Sequence, residues 1–460
     1  MVATQVIAHW NPEDRRFWER GGRRVATRNL WLSIAALALA IAVWTVWSVI
    51  VVELPAAGFR FSTNQLFWLA ALPGLTGATL RIVYAFAVPV FGGRRFTTLA
   101  TASLLLPALG IGLAVQNPDT PYEVMVLLAL LCGLGGGNFA SSMAHISFFY
   151  PTASKGYALG MNAGLGNLGV TVVQFVVPAV IGVGLFGAAG GAPQTTAQGP
   201  MWLQNAGFVW VPLVVASALG CWCWMNDLAE AKAGFAEQAV IFRRRHNWLM
   251  CWLYLGTFGS FVGLSAALPL LVTNQFPTVD ALRTAWIGPL VGALARPLGG
   301  WLADRLGGAR VTLWSFVVMA LGALVALACL PGDAAAGEAG RFGGLLAAFL
   351  VLFAAAGIGN GSTFRMIPVI FRAERLRAAE RTAAAQQQAA HEGNRDGAAA
   401  LGFASSIGAY GGFFIPKSLG TSIALTGGPA AALVVFVLFY LSCVALTWWN
   451  YSRRYAPMPC

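Results

Sequence analysis

The chain has 460 residues, of which 58% are hydrophobic and only 10% charged, with a mean hydropathy of +0.68 and a net charge of +12. Soluble domains carry roughly 25% charged residues, so a water-soluble globular protein is excluded. With it goes nucleic-acid binding as the reason for the positive charge, because that needs basic residues gathered on one soluble surface.

A charged segment, residues 1–28, precedes the first apolar run. That run, Asn29 to Val52, lacks a small-residue cleavage site and reads as a retained span, not a signal peptide. The sequence predicts twelve spans, at about 29–52, 66–90, 97–116, 123–149, 156–183, 203–225, 248–272, 281–302, 310–330, 342–371, 398–423 and 428–450. Most meet the ~18–20 apolar residues that cross ~30 Å of hydrocarbon. Pro and Gly interrupt several, which a bundle tolerates because neighbouring helices satisfy the freed backbone groups. The expected fold class is an all-α membrane protein of two six-helix bundles, 29–225 and 248–450. A cytoplasmic linker, 226–247, joins them, and tails of 1–28 and 451–460 flank them. A further charged segment, Arg372 to Asp396, holds the low-complexity run AERTAAAQQQAA and reads as a surface helix or a partly disordered loop. The seven cysteines (Cys132, Cys221, Cys223, Cys251, Cys329, Cys443, Cys460) show neither zinc spacing nor a disulfide framework, and are expected to be packing residues.

Basic residues orient these spans. Six arginines between Arg15 and Arg28, then Arg94, Arg95, Lys155, Lys232, Arg243 to Arg245, Arg305, Arg310, Arg372, Arg375, Arg377, Arg381, Arg395, Arg453 and Arg454 fall on one side. Only Arg60, Arg283 and Arg341 fall on the other. By the positive-inside rule both termini are expected in the cytoplasm.

The halves echo each other. Arg81 in span 2 is followed eleven residues later by Gly92-Gly93, and Arg296 in span 8 eleven residues later by Gly307-Gly308. Span 4 reads Gly133-Leu134-Gly135-Gly136-Gly137, and span 10 reads Gly357-Ile358-Gly359-Asn360-Gly361. In span 5, GMNAGLGNLG from Gly160 lines up with GFASSIGAYG from Gly402 in span 11. Three matches in order are the plan of parallel-repeat secondary transporters, whose substrate site lies near the midplane.

An ionisable residue within a span is a functional hypothesis by default. Four basic residues qualify: Arg81, Arg296, Arg365 and Lys417. No Asp or Glu lies deep in any span. Arg81 and Arg296 sit about 16 Å from the cytoplasmic turns, half of a ~30 Å core, where snorkelling is difficult. Guanidinium presents a planar fork suited to planar oxyanions, so the pair is expected to clamp one; structural arginines bonded to backbone carbonyls are the alternative. Arg365 and Lys417, nearer the span ends, read as snorkelling or gate-region residues. Asn167 shares the depth of Arg81 and is a candidate contact, whereas Asn162 has no evident role. The surrounding small residues form a face for close helix approach. Phe139, and Tyr254 with Phe258 four residues on, supply an aromatic wall. For His145, buried in span 4, a local hydrogen bond is expected in preference to a proton relay.

The chain resembles the nitrate/nitrite porter family of the major facilitator superfamily over nearly its whole length. The resemblance rests on GLGGGNFASSMAHISFFYP at 133–151, GMNAGLGNLGV at 160–170 and GFASSIGAYGGFFIP at 402–416. LRIVYAFAVPVFGGRR at 80–95 and GNGSTFRMIPVIF at 359–371 add to it. The stretches in spans 5 and 11 are similar to the family's two nitrate signatures. The resemblance implies a rocking transporter for nitrate and nitrite in which Arg81 and Arg296 hold the anion and Phe139, Asn167 and Tyr254 line the site. Phe258 and Trp47 are further matches, and Gly164, Gly166, Ser405 and Gly408 of the signatures complete the substrate-binding candidates.

Without an embedded carboxylate to relay protons, nitrate/nitrite exchange is expected, since two facing arginines resist closure until an anion sits between them. A proton-coupled nitrate symporter, or a porter for another small inorganic anion, is the alternative. An enzyme is not expected, since no metal-ligand cluster, nucleophile–histidine pair or cofactor fingerprint occurs. The partners implied are the two anions and the lipid bilayer, with no cofactor, metal or nucleic acid, and a monomer. The bacterial inner membrane follows from the resemblance alone.

Overall fold

The computed structural model describes residues 6–197, 199–229, 239–331, 340–380, 382–458 and 460. Lys232 and Arg381, counted above among the orienting charges, lie outside them. Twelve long helical segments follow in order: α1 (Arg15–Glu53), α2 (Thr63–Phe91), α3 (Gly93–Ala114), α4 (Tyr122–Phe149), α5 (Thr152–Ile181), α6 (Asn205–Trp224), α7 (Arg245–Gln275), α8 (Ile287–Leu306), α9 (Gly308–Cys329), α10 (Phe342–Ala378), α11 (Ala383–Thr426) and α12 (Ala430–Ser452). Among the described residues eleven are long and apolar enough to cross a membrane. The remaining one is α8, which carries Arg296 at mid-length and Asp304 and Arg305 in its last turn. These charges dilute the apolar signal of a helix that is otherwise of spanning length.

Helix ends follow from local chemistry. Ser62 and Gln65 form a reciprocal capping box that starts α2. Gly92 breaks the chain between α2 and α3 with φ of +85°, and Gly307 does the same between α8 and α9 with φ of +90°. Only glycine adopts that conformation without strain, so the Gly-Gly pairs of the repeat mark equivalent turns. Pro121 and Pro151 precede α4 and α5, where a missing N–H costs nothing. Within α7, a wide π-turn at Leu255–Gly259 directly follows Tyr254.

The chain forms two compact units, one built on α1–α6 and one on α7–α12, except that residues 268–270 and 280–286 group with the first. Both units use the same glycine seams. In the first, a Cβ on Gly169 of α5 would strike the Ala38 carbonyl of α1, and one on Gly166 would come within 2.5 Å of Leu37. In the second, Gly411 of α11 lies directly against Gly259 of α7, and a Cβ on Gly408 would meet the Tyr254 ring at 2.7 Å. The α2–α4 and α8–α10 pairs repeat the pattern, with Gly133 against Thr76 and Gly77, and Gly357 against Gly292. Such backbone-to-backbone approach is how helices associate in lipid without a hydrophobic drive.

The N-terminal segment from residue 6 is built into the first unit. Val6–Ile7 pairs in parallel with Asp227–Leu228, and the Trp10 indole donates to the Phe149 carbonyl at 3.2 Å. Glu13 accepts from the Thr152 backbone N–H at 2.8 Å and from its hydroxyl at 2.7 Å, capping α5. Those bonds hold the Glu13 carboxyl below its ordinary pKa, with the backbone N–H the largest cause. In the segment 372–396, α10 runs to Ala378 and α11 starts at Ala383. The Arg375 fork ties the two together through Asp396 at 2.7 Å and Glu392 at 3.0 Å.

Candidate functional site

Each unit carries one deep arginine, and each arginine has its own cradle. Arg81 on α2 is fully buried. Its Nε donates to the Gly136 carbonyl at 2.9 Å, and its guanidinium lies over the Trp44 ring at 5.0 Å and the Phe139 ring at 4.6 Å. The glycines of α4 make this possible. Gly136 and Gly77 meet at their Cα atoms, which brings the α4 backbone to the side of α2 that carries Arg81. The Trp44 indole is itself fixed by donating to the Pro73 carbonyl at 2.6 Å. Two rings and one carbonyl leave the guanidinium plane oriented, the state in which a planar fork recognises an oxyanion with least ordering cost.

Arg296 on α8 is only partly buried. Its Nη2 lies 3.5 Å from the Tyr254 hydroxyl, and its guanidinium sits over Phe364 of α10 at 5.2 Å. Tyr254 is fully buried, packed against Phe258 with ring centroids 5.6 Å apart, and Gly408 leaves room for both rings. The second unit thus gathers Arg296, Tyr254, Phe258 and Gly408, and the first gathers Arg81 and Phe139.

Other expected residues are placed differently. Trp47 is fully buried, but the α1 aromatic that reaches Arg81 is Trp44, three residues earlier, and the one on Arg296 is Phe364. Sequence reasoning missed Trp44 and Phe364 because a chain with 17 Trp and 29 Phe offers too many aromatics to choose among. Asn167 is buried on α5 at 3% exposure. Gly164, like Gly160 and Gly402, has open space where a Cβ would point, whereas Gly166 packs on α1. Ser405 is buried, and its hydroxyl donates to the Gly402 carbonyl at 2.8 Å.

Asn162 now has a role. Its Nδ2 donates to the Ser142 hydroxyl at 2.7 Å, and that hydroxyl shares a hydrogen bond with Ser33 at 2.7 Å, a polar chain joining α5, α4 and α1. His145 departs from expectation at one nitrogen. Its ring packs against Phe149 at 4.9 Å and against the bare Gly93, and its Nε2 has no hydrogen-bond partner among the described residues. Arg365 forms an ion pair with Asp304 at 2.6 Å, half-exposed on both sides. Near the other end of the same unit lies Lys417 on α11.

Comparison with known proteins gives concordant findings. The chain matches the Major Facilitator Superfamily over residues 32–386. It is 50% identical to the nitrate/nitrite transporter NarU of Salmonella typhimurium over 98% of this chain and 96% of that one. To the probable nitrate/nitrite antiporter NarK2 of Thermus thermophilus it is 41% identical over 99% and 98%. Among solved structures it resembles a D-xylose-proton symporter with a TM-score of 0.64 over 92% of this chain and 97% of that one, at 16% identity, a likeness of fold alone.

Proposed function

The chain belongs to the nitrate/nitrite porter family of the major facilitator superfamily, and from that premise we propose that it exchanges nitrate for nitrite by alternating access. Arg81 and Arg296 are the anion-binding residues in this reading. The observation that carries it is the buried guanidinium of Arg81, which lies over two rings and donates to a backbone carbonyl. A buried cation held in a fixed plane is costly, and a planar anion that accepts its fork offsets that cost.

The exchange mechanism follows from charge. Two guanidiniums that engage one anion repel each other when it is absent, so the loaded form is the one that changes conformation. The sequence places no carboxylate deep in a span to relay a proton. Phe139, Asn167, Tyr254 and Phe258 complete the reading as lining residues, with Trp44 and Phe364 added as the rings that orient the arginines. The protein is assigned to a bacterial inner membrane as a monomer, with both termini cytoplasmic as the basic residues direct.

Counterflow in proteoliposomes tests this. Labelled nitrate should enter only when nitrate or nitrite is loaded inside, with the pH gradient clamped. Entry into empty vesicles that follows an imposed pH gradient would replace exchange with proton symport, and competition by other oxyanions at equal potency would remove the nitrate assignment.

A further inference from the structure

We infer that Asn360, in the glycine run of α10, is a binding residue that hydrogen-bonds the planar oxyanion beside Arg296; this rests on the transport reading above and deepens it. Asn360 is 2% exposed, and neither its Nδ2 nor its Oδ1 has a hydrogen-bond partner among the described residues. An amide with both ends unsatisfied is expensive in a protein interior, and more so in a membrane. A merely structural position would be served as well by an apolar residue of the same size.

Its neighbours define the direction in which it points. Gly361 abuts the Arg296 backbone carbonyl on α8, and Thr363 shares a hydrogen bond with Thr257 of α7 at 3.2 Å. Phe364, four residues after Asn360 and so on the same helix face, lies under the Arg296 guanidinium. Asn360 therefore sits on the stripe of α10 between the edge packed on α8 and the edge packed on α7. That stripe faces the place where Arg296 and Tyr254 converge.

The internal repeat supports the same conclusion. The aligned runs place Asn360 opposite Gly136, and Gly136 is the residue whose carbonyl accepts from Arg81 Nε. In the first unit the arginine is served by the backbone at this position. In the second the same position carries a side-chain amide, with a donor that a carbonyl lacks. Nitrate and nitrite offer only acceptor oxygens, so Nδ2 can donate to the anion while Oδ1 remains available to a guanidinium N–H. The two arginine cradles are thereby unequal, and the anion-specific donor belongs to the second.

The test is nitrate and nitrite counterflow by reconstituted wild type, Asn360→Leu and Asn360→Ser, with thermal unfolding of each purified protein. Asn360→Leu is near-isosteric and removes a buried polar group, so its Tm should stay level or rise. Its KM for both anions should rise roughly tenfold to a hundredfold, as expected for a hydrogen bond to a charged ligand. Asn360→Ser, which keeps a donor, should recover part of that loss. Wild-type exchange with an unchanged KM in Asn360→Leu overturns the assignment of Asn360 and leaves the transport reading standing. A lowered Tm with unchanged KM also overturns it, as a structural role. A wild-type protein that exchanges neither anion overturns the transport reading itself.

Discussion

Arg81 and Arg296 occupy matched positions of a repeat, yet the protein treats them differently. Arg81 is fully buried, with a carbonyl bond of 2.9 Å and two rings within 5.0 Å. Arg296 is part-exposed, with one ring at 5.2 Å and one hydroxyl at the 3.5 Å limit of hydrogen bonding. The first arginine is held rigidly and the second loosely. In the function proposed above, a rigidly held arginine selects an anion by geometry and a compliant one releases it when the conformation changes.

The largest effects should come from disturbing the rigidly held arginine. Arg81→Lys replaces a stacked fork with a point charge and should reduce exchange by roughly a hundredfold or more in counterflow. It should also lower stability by about 2–3 kcal/mol through lost ring and carbonyl contacts, measurable as a lower Tm. Arg296→Lys should impair exchange comparably but cost under about 1 kcal/mol of stability, because its cradle is weak. Equal losses of Tm in the two variants would abolish the distinction between the halves.

The glycine seams sharpen the comparison further. Gly411→Val drives a side chain into the backbone of Gly259 and should destabilise by roughly 1–3 kcal/mol. Gly164→Ala meets open space and should stabilise by about 0.5–1 kcal/mol through helix propensity. If Gly164 lines the anion path, the same variant loses exchange activity while its Tm rises. Tyr254→Phe removes only the long contact to Arg296, so its KM should rise roughly 2- to 10-fold.

The smallest effect is at Glu13. Its carboxyl is held below the ordinary value by the Thr152 N–H and hydroxyl, so its contribution to stability is present above the unfolded pKa and fades as pH falls through the folded one. Glu13→Gln should unfold slightly earlier than wild type at neutral pH, and the difference should close under acid conditions. A gap that is independent of pH would mean that the charge contributes nothing.

The deep arginines were legible in the sequence because charge is rare in this chain and the Gly-Gly turns give a ruler for depth. The helix seams were legible for the same reason: glycine repeats survive as letters. What resisted reading was contact between distant segments. The N-terminal segment has the composition of a free tail, and its partners at Phe149, Thr152 and Asp227 lie 139 or more residues away. Asn162 seemed misplaced in lipid until Ser142 and Ser33 came beside it. Trp44 and Phe364 could not be singled out, since nothing local distinguishes an aromatic that stacks on an arginine from one that fills a core.

The wide turn at Leu255–Gly259 has a consequence for anyone who redesigns α7. One surplus residue in a helix of 3.6 per turn rotates everything beyond it by about 100°. A helical wheel drawn from Tyr254 through Gln275 as one continuous spiral therefore assigns Ser260 onward to the wrong sides. Cysteine-labelling or charge-scanning of this helix has to restart its phase at Ser260. Deleting a single residue inside the turn would let α7 close into a regular α-helix with Ser260 onward still on the sides they occupy now, whereas a deletion beyond the turn would swing the rest of the helix around its axis.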